Sequence, residues 1–249
     1  MRVVRLVLVI ALVGAIFVSA GAAMKIQKGY SSEERAYKEV APYRPIATDA
    51  AEAEPTPHKN QGVLDLQAGY PDAVGWVTIP HTGVDYPFVQ AEDNEYYLHR
   101  DIDGNYAVAG TLFMDCTSDP DLTDFNTIIY GHHMKNGSMF GSLAQFNDEE
   151  FFNTNKTGTV FLAERTYTVE FFAYLIVKSD DLTAYDNPVD TADRMNYIAY
   201  IFENSRYWRD CEVGTENQII TLSTCAYEFK NARMILVGKL VQTQGLPVI

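Results

Sequence analysis

A cysteine, an arginine and a pair of histidines in this 249-residue chain have the types and spacing for nucleophilic chemistry. Cys225 closes the run Ile219-Ile220-Thr221-Leu222-Ser223-Thr224-Cys225, whose β-branched and leucine residues read as a strand. Alternation puts Ile220, Leu222 and Thr224 on one face and Thr221, Ser223 and Cys225 on the other. The second face is polar apart from the thiol, so Cys225 is expected to look out of the core into a groove. A further strand-like run begins at Arg233, after a loop from Ala226 to Ala232. A hairpin centred on Phe229 sets Cys225 directly opposite Arg233, with Cβ atoms roughly 4.5–5.5 Å apart. A guanidinium there favours the thiolate and can stabilise an oxyanion when the thiolate attacks a carbonyl. Most lone cysteines serve packing; the arginine across the hairpin gives this one a chemical reading. A base or acid is offered by Asn126-Thr127-Ile128-Ile129-Tyr130-Gly131-His132-His133, an apolar strand that stops at a glycine. Imidazole is the usual partner of a thiol nucleophile. Adjacent residues point to opposite sides, so at most one of the two histidines is expected to face the thiol.

The elements that must hold these groups are mostly strands. Eight are predicted: Val74–Ile79, Val84–Val89, Ala109–Met114, Asn126–Tyr130, Thr159–Leu162, Tyr167–Val177, Gln218–Thr224 and Met234–Gln242. Helical stretches fall near Asn94–His99, Phe140–Phe152 and Asp190–Asn204, the last with Met195, Ile198, Ala199 and Phe202 as an apolar stripe. Eight strands suit a closed or nearly closed antiparallel barrel.

The N-terminus reads differently. Arg2 and Arg5 precede an uncharged run of 19 residues, Leu6 to Met24, which just spans a hydrocarbon core of about 30 Å. The run exceeds the usual apolar segment of about 7–15 residues in a cleaved signal peptide, so an uncleaved anchor over 1–25 is the preferred reading. Ser31-Ser32-Glu33-Glu34 has the form of a capping box opening a helix to about Val40. Prolines then recur from Ala41 to Lys59 as in a partly extended linker, before a second short helix near Leu64 to Gly69.

Composition narrows the partners. Against 33 acidic residues stand 19 basic ones, a formal net charge of −14, which excludes the basic footprint of a nucleic-acid binder. Three cysteines make an odd count, so at least one is free or pairs with another chain; a Cys116–Cys211 disulfide is the one pairing that spares Cys225. There is no C-x-x-C and no His/Cys cluster at zinc spacing, and no metal is expected.

Taken together, the motifs resemble those of the sortases, the cysteine transpeptidases that attach proteins to the Gram-positive cell wall. Thr221-Leu222-Ser223-Thr224-Cys225 fits the signature T-L-x-T-C, Arg233 fits the arginine shortly after it, and Gly131-His132 fits the histidine motif. All three stand in the expected order, and the resemblance covers roughly Asp72 to Gln242. Gly75-Trp76-Val77, Asp85-Tyr86-Pro87, Asp93-Asn94-Glu95-Tyr96-Tyr97-Leu98 and the long segment from Lys178 to Gln218 are similar to class B. Ala226 departs from that class, whose members often carry an acidic residue directly after the cysteine.

The resemblance implies a mainly β protein: an eight-stranded sortase-type barrel over 72–249 with short helices, preceded by a helical extension over 26–71 and a transmembrane helix. It implies catalysis by His132, Cys225 and Arg233, with His133 pointing away. A secreted protein with a C-terminal sorting signal would be cleaved at its threonine, held as a thioester on Cys225 and transferred to a peptidoglycan-precursor amine, without cofactor. Asn94 and Leu98 would line the groove, Tyr130 would lie beneath it, and Ser223 would flank the thiol. The segment from Lys178 to Gln218, with Tyr185 and Tyr197, would form one wall. The protein would be a single-pass membrane protein with its catalytic domain outside the cell. A pilin-polymerising sortase, a cysteine hydrolase using the same three residues and an inactive membrane-tethered binding protein stay open as alternatives.

Overall fold

The computed structural model describes residues 34–46, 59–226 and 229–245, so the predicted membrane segment over 1–25 lies outside the described residues. Among the described residues no helix is long and apolar enough to cross a membrane. Residues 34–40 form a helix, α1. The other helices are α2 (Gln61–Gly69), α3 (Glu149–Thr154) and α4 (Thr191–Asn204). The strands are β1 (Ala73–Thr78), β2 (Asp85–Val89), β3 (Leu112–Met114), β4 (Asn126–Tyr130), β5 (Thr157–Leu162), β6 (Arg165–Lys178), β7 (Tyr207–Trp208), β8 (Ile219–Cys225) and β9 (Ala232–Gly245).

Eight strands close into a barrel in the order β5-β1-β2-β3-β4-β8-β9-β6, with β6 returning to pair with β5. The two-residue β7, absent from the expected set, only extends β6 at Ala173 and Tyr174. The barrel is not purely antiparallel as expected: β2 and β3 run parallel, and so do β4 and β8. Parallel neighbours need a long crossover, and both pairs have one, from Gln90 to Thr111 and from Gly131 to Gln218. Side-chain alternation carries no information on strand direction, so this feature could not be read from the pattern.

Among the described residues three apolar clusters hold the fold. The barrel interior is filled by side chains such as Phe88, Leu112, Ile129, Phe171, Leu222 and Leu236. A second cluster lies outside the barrel under α4, with Phe172, Leu175, Tyr197, Ile201, Ile235 and Val237. Strands β6 and β9 are therefore buried on both faces, which explains the unbroken apolar runs Phe171 to Val177 and Met234 to Val237. The stripe on α4 differs from the expected one: Tyr197 and Ile201 are buried, whereas Met195 is 62% exposed. A tyrosine reads as amphipathic in a sequence, and here its ring and its hydroxyl both find partners inside.

The third cluster joins the N-terminal helices to the barrel, packing Val40, Val63 and Leu66 against Trp76 and Phe161. The buried Asn60 staples this end, its amide donating to the carbonyls of Leu162 (2.6 Å) and Arg165 (3.0 Å). Arg44 pairs with Asp85 at 2.7 Å, and Asp85 also accepts from the Trp76 indole at 2.8 Å. The start of the predicted linker is thus docked on the barrel at Arg44.

Candidate active site

The site forms where β4 and β8 end side by side. The β8–β9 register pairs Cys225 with Arg233, as the symmetric hairpin required. One step outward the Ala226 N–H donates to the Ala232 carbonyl at 2.9 Å. Hydrogen-bonded and non-hydrogen-bonded pairs alternate along an antiparallel ladder, so Cys225 and Arg233 form the second kind, in which side chains approach more closely. The groove they face is lined by Asn94, Leu98, Tyr130 and Ser223 and by Ser179, Leu182 and Tyr185. His132 lines the same groove as Cys225 and Arg233.

The polar face of β8 differs from the expected open one. Thr221 and Ser223 are buried, and only Cys225 is partly accessible. The chain from Lys178 to Gln218 folds over the strand: Tyr185 shares a 2.8 Å hydrogen bond with Ser223 and stacks on Tyr130, ring centroids 6.2 Å apart. Tyr197 is not a groove residue, being buried under α4 with its hydroxyl accepting from Asn126. Asn126 was legible only as the first residue of a strand. It is fully buried, donates to Tyr197 (3.0 Å) and to the Asp186 carbonyl (2.9 Å), and accepts from Thr221 (2.8 Å). One amide thereby ties β4, β8 and the groove wall together.

Asp115 is a second residue the sequence did not single out. The Asn94 amide donates to Oδ2 at 2.8 Å, the Tyr130 hydroxyl donates to it at 3.1 Å, and Thr117 donates twice to Oδ1. Burial works to raise its pKa, but the combined hydrogen bonds outweigh it and hold the carboxyl below the usual range. Asn94 also accepts from the Cys116 N–H at 2.8 Å, so both ends of its amide are held. The Asp115-Cys116-Thr117 turn, an Asp bonding the backbone two residues on, was the one local signal available.

His132 follows Gly131, and the glycine is needed. A Cβ at that position would meet Leu112 Cδ2 at 2.4 Å and Phe140 Cδ2 at 2.7 Å, both inside the barrel. Gly131→Ala is expected to cost about 1–3 kcal/mol through overpacking and to slow turnover by shifting His132. Thermal unfolding beside steady-state rates checks both. The His132 Nε2 lies 2.6 Å from the Leu98 carbonyl, and its ring stacks on His99 at 5.3 Å and 21°. Desolvation lowers its pKa, the Leu98 carbonyl opposes that, and the charges of His99 and Arg233 add to the lowering. Unfolded histidine titrates near 6.5. Between that value and the lower folded one the unfolded chain binds more protons, so this contribution to stability is intact above about pH 6.5 and is lost on acidification. His132→Gln is therefore expected to narrow the difference in melting temperature between neutral and mildly acidic buffer, measured beside the parent chain.

His133 does not simply point away. Its Nδ1 lies 2.7 Å from the Cys225 carbonyl. The alternation rule fails because β4 ends at Tyr130, before the two histidines. The three cysteines are free, so Cys116 and Cys211 are not joined. Ala226 is buried against the barrel interior. No metal-holding group of His, Cys, Asp or Glu occurs among the described residues.

The Sortase domain family profile matches residues 77–241, the span of the barrel. Sortase B of Listeria monocytogenes is 37% identical over 195 residues, covering 78% of this chain and 79% of that protein. The chain belongs to the class B sortases. It is a cysteine transpeptidase. Among solved structures, sortase B of Bacillus anthracis superposes with a TM-score of 0.75 at 31% identity, covering 86% of this chain and 99% of that one. Sortase B from the type II pilus of Streptococcus pneumoniae gives a TM-score of 0.62 at 35% identity, covering 71% and 97%.

Proposed function

We propose that Cys225 is the nucleophile of this sortase, His132 its acid and Arg233 its oxyanion donor, acting on the sorting signal of a secreted protein. The observation that carries the reading is the direct Cys225–Arg233 pair at the mouth of a groove that also holds His132. The Cys225 thiolate adds to the threonine carbonyl of the signal, and the negative charge that forms on oxygen accepts from Arg233. His132 presents Nε2–H to Leu98, because a carbonyl only accepts, so its Nδ1 is the nitrogen that takes up the thiol proton as Cys225 ionises, giving the imidazolium that serves as acid. As the C–N bond breaks, that proton passes to the departing amine and the acyl group stays on sulfur as a thioester. An incoming amine reverses the steps with His132 as base. The thioester keeps the free energy of the peptide bond, so transfer proceeds without a cofactor.

Leu98, Leu182 and Tyr185 give the groove its apolar walls for the residues before the threonine, and Asn94 and Tyr130 are held from below by Asp115. Ser223, whose hydroxyl is bound to Tyr185, acts by holding that wall. The N-terminal apolar segment anchors the chain with its barrel on the wall side of the membrane, a reading supported by the length of Leu6 to Met24. Recovery of the full chain, but not of a chain lacking residues 1–25, in the membrane fraction tests the anchor.

The catalytic reading is tested by intact mass after mixing the protein with a pool of sorting-signal peptides, with Cys225→Ala beside it. An adduct of the peptide's N-terminal fragment, absent from the variant, is the expected result; no adduct on a thiol that still alkylates rejects it. Likeness to a pilus sortase favours one second reading, a lysine side chain as acceptor. Competing a lysine-side-chain peptide against an N-terminal amine for the same thioester separates pilin polymerisation from wall anchoring.

A further inference from the structure

The end of β8 is held by a second histidine. Parallel β4 and β8 pair as far as Tyr130 and Ser223, and the Gly131 N–H donates to the Ser223 carbonyl at 3.1 Å. In a parallel ladder the next such rung falls two residues on, from residue 133 to the carbonyl of residue 225. By then β4 has ended: the Phe140 N–H donates to the His132 carbonyl, and His133 pairs across with Met139. At that rung it is the His133 imidazole that meets the Cys225 carbonyl, Nδ1 to O at 2.7 Å. The carbonyl faces β4 because the hairpin's hydrogen-bonded pair is Ala226–Ala232, which turns the Cys225 peptide groups away from β9.

We propose that His133 is a positioning residue of the transpeptidase site: its Nδ1–H fixes the last peptide of β8, and with it the direction in which the Cys225 thiol leaves the strand. The proposal rests on the reading of Cys225 as nucleophile. A carbonyl oxygen only accepts, so the His133 proton sits on Nδ1. His132, facing the Leu98 carbonyl through Nε2, carries its proton on the other nitrogen. The two adjacent imidazoles thus donate through opposite nitrogens, each to a backbone carbonyl. Without the His133 bond the Cys225 peptide is braced by the hairpin alone, and a misplacement of about 1 Å at a reacting atom costs up to about 100-fold in rate.

The test uses the full chain and two readouts. Long-range proton–nitrogen NMR of the imidazoles at about pH 8, above the ordinary histidine range, is assigned with His132→Asn and His133→Asn. It should show His133 protonated at Nδ1 and His132 at Nε2. The kinetic arm follows thioester formation with a sorting-signal peptide. In His133→Asn the amide nitrogen can occupy the place of Nδ1, and acylation should stay near the parent rate. In His133→Gln the nitrogen falls at the place of Nε2, and acylation should drop about 10–100-fold, as in His133→Ala, with KM little changed. If the alanine chain does not fold, the Asn–Gln contrast decides alone. An Nε2-protonated His133, or equal rates for Asn and Gln, overturns the proposal. A parent chain that forms no thioester overturns the nucleophile reading and the positioning role with it, whereas the tautomers still report the hydrogen bond, so the two failures are told apart.

Discussion

Arg233→Ala is expected to lower kcat for thioester formation by about 10²–10³, the loss that follows removal of one oxyanion donor. The structure gives a reason for so large a share. The Ala226 N–H, the next backbone donor after the thiol residue, is occupied by the Ala232 carbonyl. The guanidinium, by contrast, belongs to the residue directly across the ladder from Cys225 and, among the described residues, donates through Nη1 to the carbonyl of Ala232 at 3.2 Å. Arg233→Lys keeps the charge and loses the planar fork, and should fall between the two. The split between constants identifies the role. A donor to the transition state lowers kcat and kcat/KM together, whereas a residue that holds the substrate backbone raises KM and leaves kcat alone. Single-turnover acylation with the parent, Ala and Lys chains makes the measurement; an Ala chain with unchanged kcat removes Arg233 from the oxyanion role.

Asn126→Leu is expected to destabilise the fold by about 3–5 kcal/mol, more than any surface change and with no direct contact to the thiol. The substitution keeps the volume and leaves the buried hydroxyls of Thr221 and Tyr197, and the more accessible Asp186 carbonyl, without their amide partner. Each buried group stripped of its bond costs roughly 1–3 kcal/mol. Asn126 also accounts for how the wall meets the barrel, since its own N–H donates to the Asn187 side chain at 3.0 Å. Acylation should weaken as well, through the displaced Tyr185. Denaturant unfolding gives the first number and peptide KM the second. A loss below about 1 kcal/mol would mean that water replaces the amide.

How far these features were legible depends on the kind of constraint. Cys225, Arg233 and Gly131-His132 could be found because their chemistry requires those residue types at strand ends, and an odd-numbered loop fixed the register between them. The strands were legible where alternation or a two-sided apolar run left no other reading, and their ends were displaced by only one to three residues. Direction was not legible, so the parallel pairs β2–β3 and β4–β8 were missed. Polar residues inside were also missed: Asn126, Asp115 and the hydroxyl of Tyr197 each owe their place to partners 15 to 95 residues distant, as with Tyr130–Asp115 and Thr221–Asn126. No local pattern announces such a partner. His133 escaped because the alternation rule was carried past the end of its strand at Tyr130.

The double burial of β6 and β9 bears on how quickly different parts of the molecule open. The β6–β9 ladder runs from Arg165–Gly245 to Lys178–Ala232 with two register shifts, and its stretch around Phe172–Val177 and Ile235–Val237 is covered by the barrel interior on one side and by α4 on the other. Amides of that stretch should exchange with solvent deuterons only through global unfolding, whereas those around Ser179 to Tyr185, with exposed neighbours such as Leu182, should exchange through smaller openings. Arg233 stands at the head of that slow ladder and Tyr185 on the fast wall. The charge proposed to meet the oxyanion is therefore mounted on a strand anchored in the slow-opening part of the chain, and the surface proposed to admit the peptide on one that breathes.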